Sequence, residues 1–292
     1  MEIKEIPVLG RDINNASGLS DDYPDGELKT LEDAKAIAIS GKYNISVRDV
    51  YIEALKNKIV PLRYVRNLPS LTIKEQLVLC RSKAAVVGSG GLGGQVVLML
   101  ARFGIGELLV VDHDVFDETN LNRQALCTMD VLGKYKAETA KKTVESINPG
   151  IKVTAENIRL EPSNAVKILG GSDVIIDALD NIPDRFLLEE TAHKIGIPFV
   201  HGAVAGFDGQ VMTLFPGDTG MESLYGRLKK DKKPESMTGG FISVPAVTPT
   251  ITGAYQAMEA IKILLERSNV LRNQMLYMDM INSESKKLRF GK

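Results

Sequence analysis

From Lys83 onward, short apolar runs alternate with amphipathic stretches. "AAVVG" (84–88), "ELLVVD" (107–112) and "DVIIDALD" (173–180) are almost continuously hydrophobic and of strand length. Between them, "GGQVVLMLARFG" and "KYKAETAKKTVESINP" repeat apolar residues at helical spacing. "KVTAENIRL", "PSNAVKILGGS", "PDRFLLEETAHKIG" and "PFVHGAVAG" continue the alternation. Apolar strands joined by helices predict an α/β fold, a Rossmann-like, mostly parallel sheet with helices on both faces. "GQVMTLFP" reads as a further strand, "TGAYQAMEAIKILLER" as a long helix and "QMLYMDMIN" as a final strand.

Ahead of Lys83 the pattern is different. Residues 1 to about 30 are rich in Asp, Asn, Gly and Ser and read as a loop or loosely docked arm. The Thr-x-x-Asp of "TLEDAKAIAISGKY" predicts a helix from Leu31 to Ser40. Ser46 caps a second helix, with Val50, Ile52, Ala54, Leu55 and Ile59 as its apolar face. A third runs from Leu71 to Ser82. The first two form a small helical N-terminal appendage.

Composition narrows the classes. A chain of 292 residues that is 44% hydrophobic can bury a large core. Its formal net charge of -1 gives no reason to expect nucleic acid as a partner, and "KKDKK" (229–233) reads as a solvated loop. Two cysteines, Cys80 and Cys127, exclude a disulfide framework and a four-cysteine zinc site. No apolar run is long enough to cross a bilayer and the N-terminus has no apolar signal core, so no membrane role and a cytoplasmic location are expected.

The candidate chemistry starts at the first strand. Gly88, Gly90 and Gly93 have the G-x-G-x-x-G spacing, with Gly91 and Gly94 added, between a strand and a helix. That turn lets a backbone approach phosphate and points helix N–H groups at anionic oxygens. Asp112 ends the second strand about twenty residues on, the position of a ribose-binding acid, and Asp114 follows it. A nicotinamide dehydrogenase fits these residues equally well. "DETNLNRQALCTMDVLGKYKAETA" then places Asn120, Asn122, Arg123, Gln124, Lys134 and Lys136 near the strand ends. Cations there suit a triphosphate whose pyrophosphate must leave. Asp180, at the tip of a later strand, would repel that triphosphate unless Mg2+ lay between them, so it reads as a metal anchor or a helix N-cap.

At this point the chain resembles the ThiF/MoeB/HesA adenylyltransferases, relatives of ubiquitin-activating enzymes. The resemblance runs from about Arg63 to Arg267 through "RYVRN" (63–67), "GSGGLGG" (88–94), "VVDHDVFDETNLNRQ" (110–124), "GKYKAE" (133–138), "ALDNIPDR" (178–185), "HGAVAGFDGQV" (201–211) and "GAYQAMEAIKIL" (253–264). It divides the chain into an N-terminal part, 1–62, and an ATP-binding adenylation domain, 63–292. It implies ATP and Mg2+ as cofactors, with Asp112 on the ribose, and Asn120, Arg123, Gln124 and Lys136 on the phosphates. It further implies Asp180 on Mg2+, and Arg66 reaching the γ-phosphate held by the other subunit of a homodimer. The implied reaction is adenylation of a carboxylate, typically the C-terminal Gly-Gly of a ubiquitin-like sulfur-carrier protein.

The departures are informative. Many members carry paired Cys-x-x-Cys zinc ligands, but "GMESLYG" and "SMTGGFISV" stand in those regions, so no zinc is expected. The span Phe215 to Thr250 has no cysteine either, so no thioester step is expected after adenylation. Cys80 and Cys127 read as core residues. His113 reads as surface or ribose edge and His193 as exposed on a helix, while for His201 a place on a substrate channel is one open reading and a position away from it the other. The segment 217–250 is expected to cross over the site, with Arg227, Lys229 and Lys230 meeting an acidic carrier. Three alternatives stay open: adenylation of another carboxylate or amide, peptide or tRNA-linked; an NAD-dependent oxidoreductase; and a nucleotide-binding scaffold without chemistry.

Overall fold

The computed structural model describes residues 8–20, 28–218, 220–226 and 243–289. These fall into two units: 1–82 with 100–107 and 144–152, and 83–99 with 108–143 and 153–292.

The N-terminal unit carries more structure than its composition announces. Helix α1 (Leu9–Ala16) buries Leu9 and Ile13, one turn apart, where the sequence reads as an arm. A three-stranded sheet follows, of β1 (Gly18–Ser20), β2 (Leu28–Leu31) and, later in the chain, β3 (Val60–Pro61). Leu31 is therefore a strand residue, and α2 begins after it (Asp33–Tyr43). The expected helix start is displaced because Leu28 and Leu31 are buried in the core as part of β2. Helices α3 (Val47–Lys56) and α4 (Ile73–Arg81) each start on a reciprocal cap, Ser46 with Asp49 and Thr72 with Glu75. Tyr51 and Tyr64 meet edge to face, 5.9 Å between ring centres, inside this core.

From Lys83 the chain forms β4 (Lys83–Val87), α5 (Gly91–Phe103), β5 (Glu107–Val111), α6 (Lys136–Ile147), β6 (Lys152–Glu156), α7 (Ala165–Leu169), β7 (Val174–Asp177) and α8 (Ile182–Ile195), the C-terminal end of α5 and of α6 and the first residue of β5 and of β6 belonging to the N-terminal unit. Then come β8 (Phe199–Ala205), β9 (Asp208–Leu214), α9 (Glu222–Tyr225), α10 (Val247–Leu264), β10 (Gln274–Asp279) and β11 (Glu284–Arg289). The strand order is β11-β10-β9-β8-β7-β4-β5-β6. β7 runs parallel to β4 and to β8. From β8 to β11 each strand is antiparallel to its neighbour. Every residue of β7 is buried, as a strand covered on both faces requires. Each such Val or Ile contributes about 1.5–3 kcal/mol by leaving water. β11 is an addition to the expected final strand: all six of its residues are exposed, so no hydrophobic alternation marks it.

The sheet order turns around β4. β5 and β6 lie to one side of it and β7 and β8 to the other, so the tips of β4, β5 and β7 face a crevice at the switch point.

Candidate functional site

The three strand tips are tied together by backbone. Gly88 N donates to Val111 O at 2.8 Å, and Ala178 N donates to Val87 O at 2.9 Å. Gly88 has φ +88°, and a Cβ there would lie 2.5 Å from Ala178 O. A Cβ on Gly93 would lie 1.8 Å from Gly88 O. Only glycine fits either position, one for conformation and one for space.

Above this turn opens a cleft of about 640 Å³. Its lining includes Gly88, Gly90, Gly91, Asp112, Asp114, Arg123, Gln124, Lys136 and Asp180, which the sequence predicts for the site. His113 lines it too and is about half exposed. Gly93 packs beneath the turn, outside the lining.

Asp112 pins the glycine turn. Its Oδ2 accepts from Ser89 N at 2.6 Å and Ser89 Oγ at 3.1 Å, while Oδ1 accepts from Asp114 N at 2.9 Å. Ser89 is fully buried and was not singled out in the sequence. Its only signal there is a small hydroxyl residue between two glycines. Lys136 opens α6, donates its backbone N–H to Asp114 O at 2.9 Å, and sets its ammonium 3.0 Å from Asp114 Oδ2. The lysine is 7% exposed, so a buried cation stands at a helix N-terminus facing the cleft. Arg123 is held by Thr119 O and Asn122 Oδ1 through Nη1. Gln124 is buried, and its Oε1 has no hydrogen-bond partner among the described residues. An orphaned acceptor beside two cations and a glycine turn fits a ligand rich in hydroxyls and phosphates.

Asn120 does not reach the cleft. Its Oδ1 accepts from Asp117 N at 3.2 Å in a reciprocal cap, and the side chain is consumed by that turn. Arg66 is exposed in the N-terminal unit, on the 3-10 turn Leu62–Asn67. Its neighbours in "RYVRN" are structural. Arg63 pairs with Asp33 and donates to Ile147 O at 2.6 Å, and Tyr64 Oη accepts from Asn148 at 2.8 Å.

Asp180 is exposed at the tip after β7 and lines the cleft. The N-cap of α8 is Asn181, whose Oδ1 accepts from Asp184 N at 3.0 Å, so capping does not consume Asp180. Asn181 Nδ2 touches Asp180 Oδ1 at 3.3 Å. A second acidic group, Asp112, His113 and Asp114, has ligand atoms within 4.8 Å of one another. Three N–H or O–H groups on Asp112 and the Lys136 ammonium on Asp114 already neutralise it, which disfavours a cation there.

The far wall is apolar, formed by Ile158, Leu160, Ala165, Leu187 and Leu188. At its rim Arg159 Nη2 reaches both oxygens of Asp184, at 3.1 and 3.0 Å. Neither residue was predicted.

The cysteines are not activated. Burial raises the Cys127 thiol above its ordinary pKa, and Sγ lies 3.8 Å from Asp117 O. Burial pushes Cys80 up to about 12. His193 Nε2 is buried without a partner among the described residues, so the helix face carrying it is not the open one the sequence suggests. His201 is fully buried on β8, does not line the cleft, and puts Nδ1 2.6 Å from Asp177 Oδ2. Val244 and Pro249, from the expected crossover segment, do line the cleft. Arg227, Lys229 and Lys230 lie outside the described residues.

The sequence profile of the ThiF family matches residues 64–292. The chain belongs to the ThiF family. It is 38% identical over 205 residues to the SAMP-activating enzyme E1 of Haloferax volcanii, covering 70% of this chain and 75% of that one. It is 35% identical over 234 residues to the sulfur carrier protein adenylyltransferase of Thermus thermophilus, covering 77% and 86%. Against other curated relatives the ThiF-family chain spans about half of their length. The solved structure of E. coli MccB with ATP superposes with a TM-score of 0.70 over 88% of this chain and 83% of that one; at 21% identity it speaks for the fold alone.

Proposed function

We propose that this ThiF-family chain adenylates the C-terminal Gly-Gly carboxylate of a ubiquitin-like sulfur-carrier protein with ATP. The two relatives above carry names of that kind, a SAMP-activating enzyme and a sulfur carrier protein adenylyltransferase. The observation that carries the reading is one cleft holding a glycine turn, Arg123, the buried Lys136 and the exposed Asp180. A carboxylate oxygen attacks the α-phosphorus, the bond to the bridging oxygen breaks, and pyrophosphate leaves with the electron pair. Lys136 and Arg123 offset the charge that develops on that leaving group, and the turn fixes the geometry. Asp112 and Gln124 serve the ribose and phosphates. Asp180 holds Mg2+, which when bound screens the triphosphate from that carboxylate.

No protein nucleophile enters: both cysteines are buried with raised pKa values, consistent with adenylation without a thioester step. The chain acts as a homodimer in the cytoplasm, and Arg66 serves the partner subunit's ATP. Val247, Ile251, Tyr255 and Met258 support the dimer: they fall on one face of α10 and are exposed, an apolar stripe that a second copy would cover. No described helix is long and apolar enough to cross a membrane.

The test is ATP–pyrophosphate exchange across a panel of purified carriers ending in Gly-Gly. Exchange is expected with a carrier and not without one. Asp180→Ala abolishes it in a folded protein, and near-normal exchange in that variant removes Asp180 from the mechanism. Arg66→Ala subunits regain activity when mixed with Asp180→Ala subunits; no rescue counts against an arginine given across the dimer.

A further inference from the structure

The tip that presents Asp180 is held from behind by a closed polar circuit. Leu179 N donates to Asp177 Oδ1 at 3.0 Å, and Leu179 O accepts from Arg185 Nε at 3.2 Å and Nη2 at 2.5 Å. The same guanidinium donates Nη1 to Tyr225 Oη at 3.1 Å and places Nε 3.7 Å from Asp177 Oδ2. Tyr225 Oη also accepts from Gln210 Nε2 at 2.8 Å and lies 3.2 Å from His201 Nε2. His201 Nδ1 closes the loop on Asp177 Oδ2 at 2.6 Å.

Counting hydrogens fixes the directions. Arg185 can only donate, and Gln210 faces Tyr225 with its Nε2, so the two fill both lone pairs of that oxygen. The phenol proton must then go to His201 Nε2, which is therefore unprotonated. The ring proton sits on Nδ1 and is donated to Asp177. Burial favours the same neutral ring. Asp177 and His201 are fully buried, and Arg185 is 7% exposed. None of Asp177, His201 or Tyr225 lines the cleft. Of the circuit only Arg185 and Leu179 line the cleft, and each other member holds the peptide immediately before Asp180 or the group that holds it.

The circuit also fixes α9. Arg185 and Glu189, four apart on α8, hold its two ends: Arg185 takes Tyr225 Oη, and Glu189 Oε1 accepts from Met221 N at 2.9 Å.

We infer that His201 and Tyr225 are positioning residues for the Asp180 carboxylate: through Asp177 and Arg185 they fix the strand-tip peptide that carries it, and so set how much Mg2+ strengthens nucleotide binding. This rests on the reading of Asp180 as the metal anchor. A loosened tip leaves the triphosphate's contacts with Arg123 and Lys136 as they are, but its displaced carboxylate no longer meets a metal there.

The experiment measures ATP affinity by calorimetry on the full chain, with saturating Mg2+ and with EDTA, and needs no carrier. The wild type gains affinity from Mg2+, and Asp180→Ala loses that gain. Tyr225→Phe removes the hydroxyl and keeps the ring. His201→Asn keeps a donor for Asp177 and removes the acceptor for Tyr225. In each, the gain from Mg2+ is expected to shrink about tenfold, with affinity in EDTA within about twofold of wild type. The double variant shrinks it no further than either single one, because both cut the same link. A full gain in Tyr225→Phe, an equal loss in EDTA and in Mg2+, or additive effects overturns the inference. A wild type that binds ATP but gains nothing from Mg2+ overturns the metal reading itself, and this inference with it. A wild type that does not bind ATP overturns the nucleotide reading.

Discussion

In the N-terminal unit, polar groups close on one another. Arg63, Asp33 and Tyr51 form one set, and Tyr64, Asn148, Ala101 O and Gly150 N form another. In the sheet unit they do not all close. Every buried side-chain atom without a partner among the described residues lies there: Gln124 Oε1, Asn157 Oδ1, Ser172 Oγ, His193 Nε2, Thr252 Oγ1 and Gln256 Oε1. A closed set marks scaffold, and an open one marks a place that a ligand or water must complete. Openness alone does not locate the site, since only Gln124 of these six lines the cleft. It does so where it coincides with a glycine turn and buried cations.

The comparison breaks first at Tyr64. If the N-terminal set is scaffold, Tyr64→Ala costs about 3–5 kcal/mol of folding stability, since the side chain is only 1% exposed. Tyr64→Phe costs about 1 kcal/mol, because Asn148 loses one acceptor and keeps Ala101 O. Urea unfolding checks both; a loss under about 1 kcal/mol for the alanine variant would show the set to be dispensable. Lys136→Ala is the counterpart in the cleft. It slows carrier-dependent exchange about 100- to 1,000-fold with little change in unfolding midpoint, since its partner Asp114 is half exposed and is hydrated once released. A variant that lost stability and kept its exchange rate would place Lys136 in the scaffold.

The sequence announced the sheet unit and the cleft more plainly than the rest, for a physical reason. Buried strands such as β4 and β7 are continuous apolar runs, and the glycine turn has a spacing fixed by close backbone approach. Asp112, Arg123, Gln124 and Lys136 follow it within a short stretch and reach the cleft together. Helix α1 was hidden because two apolar residues in eight suffice to dock it. β11 was hidden because pairing with β10, not burial, makes it a strand. Asn120 looked like a phosphate ligand because a cap and a ligand ask for the same side chain. Arg185, His201 and Tyr225 lie 16 and 24 residues apart along the chain, and only the sheet and α8 bring them together.

A smaller effect sharpens the contrast at a single amide. Gln124→Leu removes the orphaned acceptor, so the unfolding midpoint is unchanged or higher, while ATP affinity falls about tenfold, or ~1.4 kcal/mol. Asn148→Leu, in a closed set, leaves Gly150 N without its acceptor and removes the donor to Tyr64 Oη, and lowers the midpoint instead. If both variants lose stability alike, open and closed sets do not differ in kind.

The smallest expected effect concerns the proton on His201. Burial holds its pKa below the ordinary histidine value, with Arg185 acting in the same direction and the hydrogen bond to Asp177 opposing both. The unfolded chain takes up a proton near pH 6.5 and the folded chain does so only at lower pH. In that window the unfolded state binds more protons, so stability rises with pH. The contribution is complete above about pH 6.5 and is lost as pH falls through the folded value. Relative to His201→Asn, which cannot titrate there, the wild type should lose stability as the pH falls from 7 to 6, by less than the ~1.4 kcal/mol that one whole proton per pH unit would give. Urea midpoints of the two proteins at stepped pH measure the difference. Parallel curves would mean that His201 accepts its proton in place, which the filled lone pairs of Tyr225 do not allow, and the directions assigned around the circuit would have to be reversed.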